Sequence, residues 1–191
     1  MFYDLRKKDA AVSFSVRNYD DIYFDTCALL EEGLRSCLRT MIPELVRTGK
    51  RIVIPYPVMQ ELSYLCAGVT STCCHQAQQA KALVIKLTEV GLTEYAGQPE
   101  NSEQADHYFV KAVSTNQFQR KIALITQDRQ LTEDINLLNR IHSAPAKPVH
   151  TYKLEKGMLV RTHPQRQSMC GTSGNSQKSA SVRVYHDFNF I

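Results

Sequence analysis

Tryptophan is absent from the 191 residues, which leaves tyrosine and phenylalanine as the large aromatic side chains. Any stacking on nucleic-acid bases would fall to those two types. No apolar run approaches ~18 residues, so no segment reads as a membrane-spanning helix. The opening stretch Met1 to Asp9 is charged and lacks the apolar centre of a secretory signal. The six cysteines are therefore expected as reduced thiols in a cytoplasm. No glycine-rich phosphate loop and no Ser/His/Asp order stands out, so the motif-borne chemistries of those arrangements have no support.

What is present suits a globular chain. Charged residues make up 22% and hydrophobic ones 43%, a balance unlike that of disordered proteins. A body of ~150 residues buries about two-thirds of its unfolded surface and needs no disulfide staples. Residues 1–152 carry 17 charges of each sign; from Lys153 onward six Lys/Arg face two Asp/Glu, which accounts for the net +4. We read 1–152 as one domain and 153–191 as a basic, partly Ser/Gly-rich extension. Gln167 to Ser181 has linker composition, and Ser181-Val182-Arg183-Val184-Tyr185 alternates as a strand does. That end is expected to dock on its own body, a second copy or another protein.

Strands and helices alternate along the body. Ile22-Tyr23-Phe24, Arg51-Ile52-Val53-Ile54 and Ile122-Ala123-Leu124-Ile125-Thr126 are short apolar runs that read as buried strands. Leu92 to Tyr95 and Val149 to Tyr152 are weaker strand candidates. Thr26 to Thr48 has helical spacing, and Pro43 inside it predicts a kink or two helices. Helical faces follow at Val58, Leu62 and Leu65, at Ala77, Ala80, Val84 and Leu87, at Ala105, Phe109 and Val113, and at Leu131, Ile135 and Leu138. This order implies crossover connections and a mainly parallel sheet covered on both faces, an α/β fold.

Two of the strands run into an aspartate, Asp25 and Asp128. Ligands of open parallel sheets bind beyond the carboxyl ends of the strands, which places both at the functional edge. Each could instead cap the helix that follows it. Glu61 lies one turn into a helix after a strand, and Asp106 adjoins the core face of another; Glu103, one turn earlier, competes with Asp106. One pair of carboxylates ~5 Å apart repels by roughly 3 kcal/mol at an effective dielectric of about 20. A hard divalent cation removes that cost, and Mg²⁺ or Mn²⁺ prefers carboxylate oxygen. Such an ion activates water and stabilises charge on a phosphate under attack, so phosphodiester hydrolysis is the chemistry implied.

Tyr23-Phe24-Asp25-Thr26-Cys27-Ala28-Leu29-Leu30 resembles the opening motif of the PIN family, a hydrophobic strand followed by Asp, Thr or Ser, and a leucine. Val58-Met59-Gln60-Glu61-Leu62, Ala105-Asp106 and Leu124-Ile125-Thr126-Gln127-Asp128-Arg129-Gln130-Leu131 resemble the second, third and fourth motifs in the family's order. Cys27 stands where relatives often have Asn or a small residue, and Gln130 where some carry a further acid. The resemblance implies a three-layer α/β/α sandwich. It also implies a metal-dependent ribonuclease that binds Mg²⁺ or Mn²⁺ through Asp25, Glu61, Asp106 and Asp128, with Thr126 orienting a ligand or water. Single-stranded RNA is the expected substrate. The alternative is a PIN-like scaffold without activity that serves as an RNA-binding or protein-docking module.

Other constellations weigh less. A haloacid-dehalogenase-like phosphatase wants Asp-x-Asp and a metal-dependent adhesion domain wants Asp-x-Ser-x-Ser, and Cys27 breaks both. Cys66, Cys73, Cys74 and His75 lack the spaced pairs of a zinc knuckle and are expected to pack. Arg35, Arg39, Arg47, Lys50 and Arg51 gather around one helix and its exit, as a solvated face or as a contact for RNA phosphate.

Overall fold

A computed structural model describes residues 14–68, 71–99, 104–141 and 146–162. Glu103, the charged opening stretch and the whole of the alternating C-terminal segment lie outside those residues.

The chain runs β1 (Asp21–Phe24), α1 (Thr26–Leu29), α2 (Leu34–Thr48), β2 (Ile52–Pro55), α3 (Tyr56–Ala67), α4 (Ser71–Glu89), β3 (Thr93–Ala96), α5 (Ala105–Asn116), β4 (Ile122–Ile125), α6 (Arg129–Ile141), β5 (His150–Glu155) and β6 (Met158–Arg161). The six strands form one sheet in the order β3-β2-β1-β4-β5-β6. Every pair is parallel except β5 with β6. Strands β1, β2 and β4 are buried along their whole length, as their apolar sequences require apart from Asp21, which Arg120 pairs.

Helices cover both faces. Phe24 of β1 and Ile52 and Ile54 of β2 share one apolar layer with Leu34 and Leu38 of α2 and Val84 of α4. The intervening residue Tyr23 points the other way and meets Phe109 of α5 edge-on, with ring centroids 6.0 Å apart. Period-two alternation on β1 thus feeds two helical layers, and the architecture is a three-layer α/β/α sandwich. The chain moves outward from β1 through β2 to β3, then crosses back to lay β4 on the other side of β1. Right-handed crossovers put the helices of the two directions on opposite faces.

Three details differ from the sequence pattern. Pro43 lies inside α2 without ending it; the carbonyl it leaves without a partner belongs to exposed Arg39, where water is available. The break between helices falls instead at Leu30–Gly33. Strand β5 runs past Tyr152 to Glu155 and turns back into β6, with Lys153 opposite Val160 and Glu155 opposite Met158. That turn holds Lys156 and Gly157 at φ 50° and 81°, the left-handed pair of a tight hairpin. Its tip packs against the start of α2, where a Cβ on Gly33 would lie 2.5 Å from the Gly157 amide nitrogen.

Candidate active site

The register of β1 and β4 opposes Phe24 to Ile125, so both chains leave the sheet side by side. The ladder continues one step beyond the strands: the Asp25 amide donates to the Ile125 carbonyl at 3.0 Å and the Thr126 amide to the Tyr152 carbonyl at 3.0 Å. Asp25 and Thr126 are therefore fixed by backbone before any side-chain contact forms. Both are buried, Asp25 at 4% exposure and Thr126 at 0%.

A buried carboxylate needs donors, and Asp25 has three. Its Oδ1 accepts from the Thr26 amide at 2.7 Å, and its Oδ2 accepts from the Cys27 thiol at 2.7 Å and the Thr126 hydroxyl at 2.8 Å. The Thr126 hydroxyl oxygen in turn accepts from the Asp128 amide at 2.9 Å. Thr126 thus bridges the Asp25 carboxylate and the Asp128 backbone amide. Asp128 Oδ1 accepts from the Leu131 amide at 3.0 Å, which caps α6. The capping alternative accordingly holds for Asp128, and it occupies one oxygen only.

Glu61 reaches the same edge from α3. Its Oε2 accepts from the Thr26 hydroxyl at 2.5 Å and its Oε1 from the Ala105 amide at 3.3 Å, the first residue of α5. One glutamate therefore ties α1 and α5 to α3 and sets the start of the helix that carries Asp106. Asp106 is exposed on that first turn. Its carboxyl is nonetheless pushed up to about 6, first by burial and then by the charges of Asp25, Asp128 and Glu61. Because the residue is open to water, the three like charges are the more telling cause. All four acids of the sequence motifs are thus brought to one end of the sheet, within electrostatic range of Asp106.

They do not form a coordination cage. Among the described residues no three His, Cys, Asp or Glu side chains are grouped so as to hold a metal ion. None of the four carboxylates forms an ion pair with a Lys or Arg among the described residues. Carboxylate oxygens that have no Lys or Arg partner among the described residues suit a hard divalent cation.

Cys27 is the residue whose role the sequence did not disclose. Its thiol lies between the two strand exits, donating to Asp25 while its sulfur accepts from the Gln127 amide at 3.1 Å. Burial and then the Asp25 charge push the thiol up to about 12, which favours the protonated form that donates to Asp25. Thr26 was visible in the motif, but its bond to Glu61 spans 35 residues of chain and had no local signal.

The other constellations resolve toward structure. The Cys74 thiol donates to the Cys66 carbonyl at 2.9 Å, which is packing chemistry. The basic cluster is divided: Arg47 pairs with Glu44, Arg51 with Glu94, and the Lys50 ammonium bonds the Val16, Arg17 and Tyr19 carbonyls. Arg35 and Arg39 remain exposed on α2.

No family model matches the sequence, and no curated protein matches it closely enough to count as a relative. Comparison with solved structures returns partial likenesses. One is the PIN domain endonuclease Utp24, at 15% identity and a TM-score of 0.47, covering 74% of this chain and 90% of that one. Another is a domain of a functionally unknown protein from Methanocaldococcus jannaschii DSM 2661, at 22% identity and a TM-score of 0.42, covering 71% and 91%. Likeness of that order carries nothing about activity. The α/β/α assignment rests on the strand order and register, which agree with the architecture the PIN motifs imply.

Proposed function

We propose that this chain is a divalent-metal-dependent ribonuclease that hydrolyses single-stranded RNA. The observation that supports it most is the direct linkage of Asp25 and Asp128 through Thr126 at adjacent parallel strand ends, with Asp106 sensing both charges. Asp25 and Asp128 would hold Mg²⁺ or Mn²⁺, and Glu61 and Asp106 would complete the site or orient water. A bound ion of this kind supplies activation of water and neutralisation of phosphate charge. The chain's own part is to fix the carboxylates before the ion arrives: Thr126 and Cys27 hold Asp25, and Glu61 holds the start of α5.

A second reading has one observation on its side. Asp25 and Glu61 already have hydrogen-bond partners on both oxygens, as they would in a scaffold that binds RNA or protein without cutting. The experiment that separates the two is RNA cleavage with Mn²⁺ by the wild type and by Asp128→Asn. Asparagine keeps the side-chain oxygen that caps α6, so the variant stays folded with an unchanged or higher melting temperature in metal-free buffer. Cleavage that is lost in the variant and under a chelator supports the nuclease. Undiminished cleavage by Asp128→Asn, or activity that survives the chelator, counts decisively against it.

A further inference from the structure

We propose that Gln127 is a positioning residue for Asp128. Its side-chain amide closes the rung of the sheet that Asp128 leaves open, and so fixes where the Asp128 carboxylate stands when a divalent cation binds. The role rests on the metal-site reading above; the contacts that carry it do not.

The open rung follows from the register of β4 and β5. Ala123 opposes His150, Leu124 opposes Thr151 and Ile125 opposes Tyr152. The Thr126 amide continues that ladder by donating to the Tyr152 carbonyl at 3.0 Å. Rungs of a parallel ladder are evenly spaced and recur on alternate residues of each strand. The next rung would therefore carry the Asp128 amide to the Leu154 carbonyl. Instead the Asp128 amide turns back to the Thr126 hydroxyl at 2.9 Å, and the chain enters α6. Leu154 is 3% exposed, and a buried carbonyl without a donor is unfavourable. Gln127 Nε2 takes the place of the missing amide and donates to that carbonyl at 2.7 Å.

The substitution matters because of what lies on either side of it. The backbone amide of Gln127 donates to the Cys27 sulfur at 3.1 Å, and the Cys27 thiol donates to Asp25. One residue thus binds the β1 exit through its backbone and β5 through its side chain. The anchor on β5 is itself held, since Leu154 opposes Leu159 across the hairpin and the hairpin tip meets Gly33 at the start of α2. Asp128 is the next residue, and the Leu131 amide occupies its Oδ1. Its carboxylate is therefore placed from three directions, by Thr126, by Gln127 and by the first turn of α6. Glutamine suits this task because a neutral amide brings no charge to compete with a cation, as a lysine ammonium would. Groups that orient a metal's ligands commonly change affinity or activity by roughly 10–100-fold when removed.

The test uses the full chain with Gln127→Met, which keeps the length of the side chain and removes its donor. Gln127 is half-buried, so methionine is accommodated at a partly open position. If that variant does not fold, Gln127→Asn, a polar side chain one methylene short of the carbonyl, gives the same readings. In metal-free buffer, hydrogen exchange of the Asp128 amide is expected to quicken about tenfold or more, while the amides of β4 exchange as in the wild type. Mn²⁺ affinity, followed by the paramagnetic resonance of the free ion, is expected to weaken about tenfold. On a short oligouridylate with Mn²⁺, kcat is expected to fall about tenfold with KM unchanged, because Gln127 holds the site and not the RNA. An Asp128 amide that exchanges as slowly in the variant as in the wild type would overturn the proposal. So would faster exchange with unaltered Mn²⁺ affinity, which is what a merely structural bond gives. A wild type that cuts RNA, beside a variant that binds Mn²⁺ and cuts equally well, removes the proposal alone. A wild type that binds Mn²⁺ more tightly than the variant but never cuts RNA removes the nuclease reading and keeps the role of Gln127. A wild type that binds no Mn²⁺ removes both.

Discussion

At the scale of single residues the site depends on Thr126, a hydroxyl with no exposure that gives to one aspartate and takes from the backbone of the other. Thr126→Val keeps the shape and leaves the Asp128 amide and one Asp25 bond without a partner. We expect it to lower stability by about 1–3 kcal/mol, read as a shift in the urea midpoint, while Thr126→Ser stays close to the wild type. A valine variant as stable as the parent would show that water replaces the hydroxyl. Asp106 gives a pH signature. Its carboxyl lies at about 6 in the fold against an ordinary 3.8. The folded state therefore binds more protons between those values, and stability falls as pH rises through that window. His150 works in the other direction: burial, then the Arg161 charge, holds it down at about 4 from 6.5, so its contribution is lost as pH falls. The difference between wild type and Asp106→Asn isolates the carboxylate. In metal-free buffer the variant should gain melting temperature relative to the wild type from pH 4 to pH 7; a constant difference across that range would refute the coupling.

At the scale of elements, strands β1, β2 and β4 and the core faces of α3 to α6 were legible because burial on both sides, or on one helical stripe, writes itself into apolar spacing. Ala77, Ala80, Val84 and Leu87 are buried on α4, and Ala105, Phe109 and Val113 on α5, as their spacing predicted. The β5–β6 hairpin was not legible. Only the start of β5 carried a strand signal, at Val149 to Tyr152, while in β6 Met158 and Val160 are exposed, so Met158-Leu159-Val160 lies outside the buried core. The helix break was misplaced because Pro43 is a louder local signal than the close approach of Gly33 to the hairpin tip. That approach is itself testable. Alanine at Gly33 would drive a Cβ into backbone atoms of Gly157 and Lys156, which cannot rotate away. Gly33→Ala should cost about 1–3 kcal/mol, measured by equilibrium unfolding; an unchanged midpoint would mean that the hairpin tip moves freely from α2. The four acids were legible one by one, but Glu61 binding the first amide of α5 is a contact across 44 residues that only folding reveals.

At the scale of the whole molecule, the segment read from sequence as a basic extension, 153–191, supplies the end of β5 and all of β6 to the sheet. Deleting residues 165–191 should leave the unfolding midpoint and basal RNA cleavage unchanged while weakening assembly or RNA affinity. A truncated protein that binds RNA equally well, and elutes at the size expected from the lost mass alone, would show that residues 165–191 dock nowhere. The strand order has a further consequence for how the chain is made. Strand β1 sits between β2 and β4, and β4 lies about a hundred residues later. During synthesis β1 can pair with β2 early, but its other edge waits for β4 with its backbone groups unpaired, as a parallel edge open to any stray strand. Asp25 and Glu61 emerge with no Asp128 beside them. On the nuclease reading proposed above, a nascent chain on its ribosome would therefore hold only part of its site until the central seam of its sheet has closed.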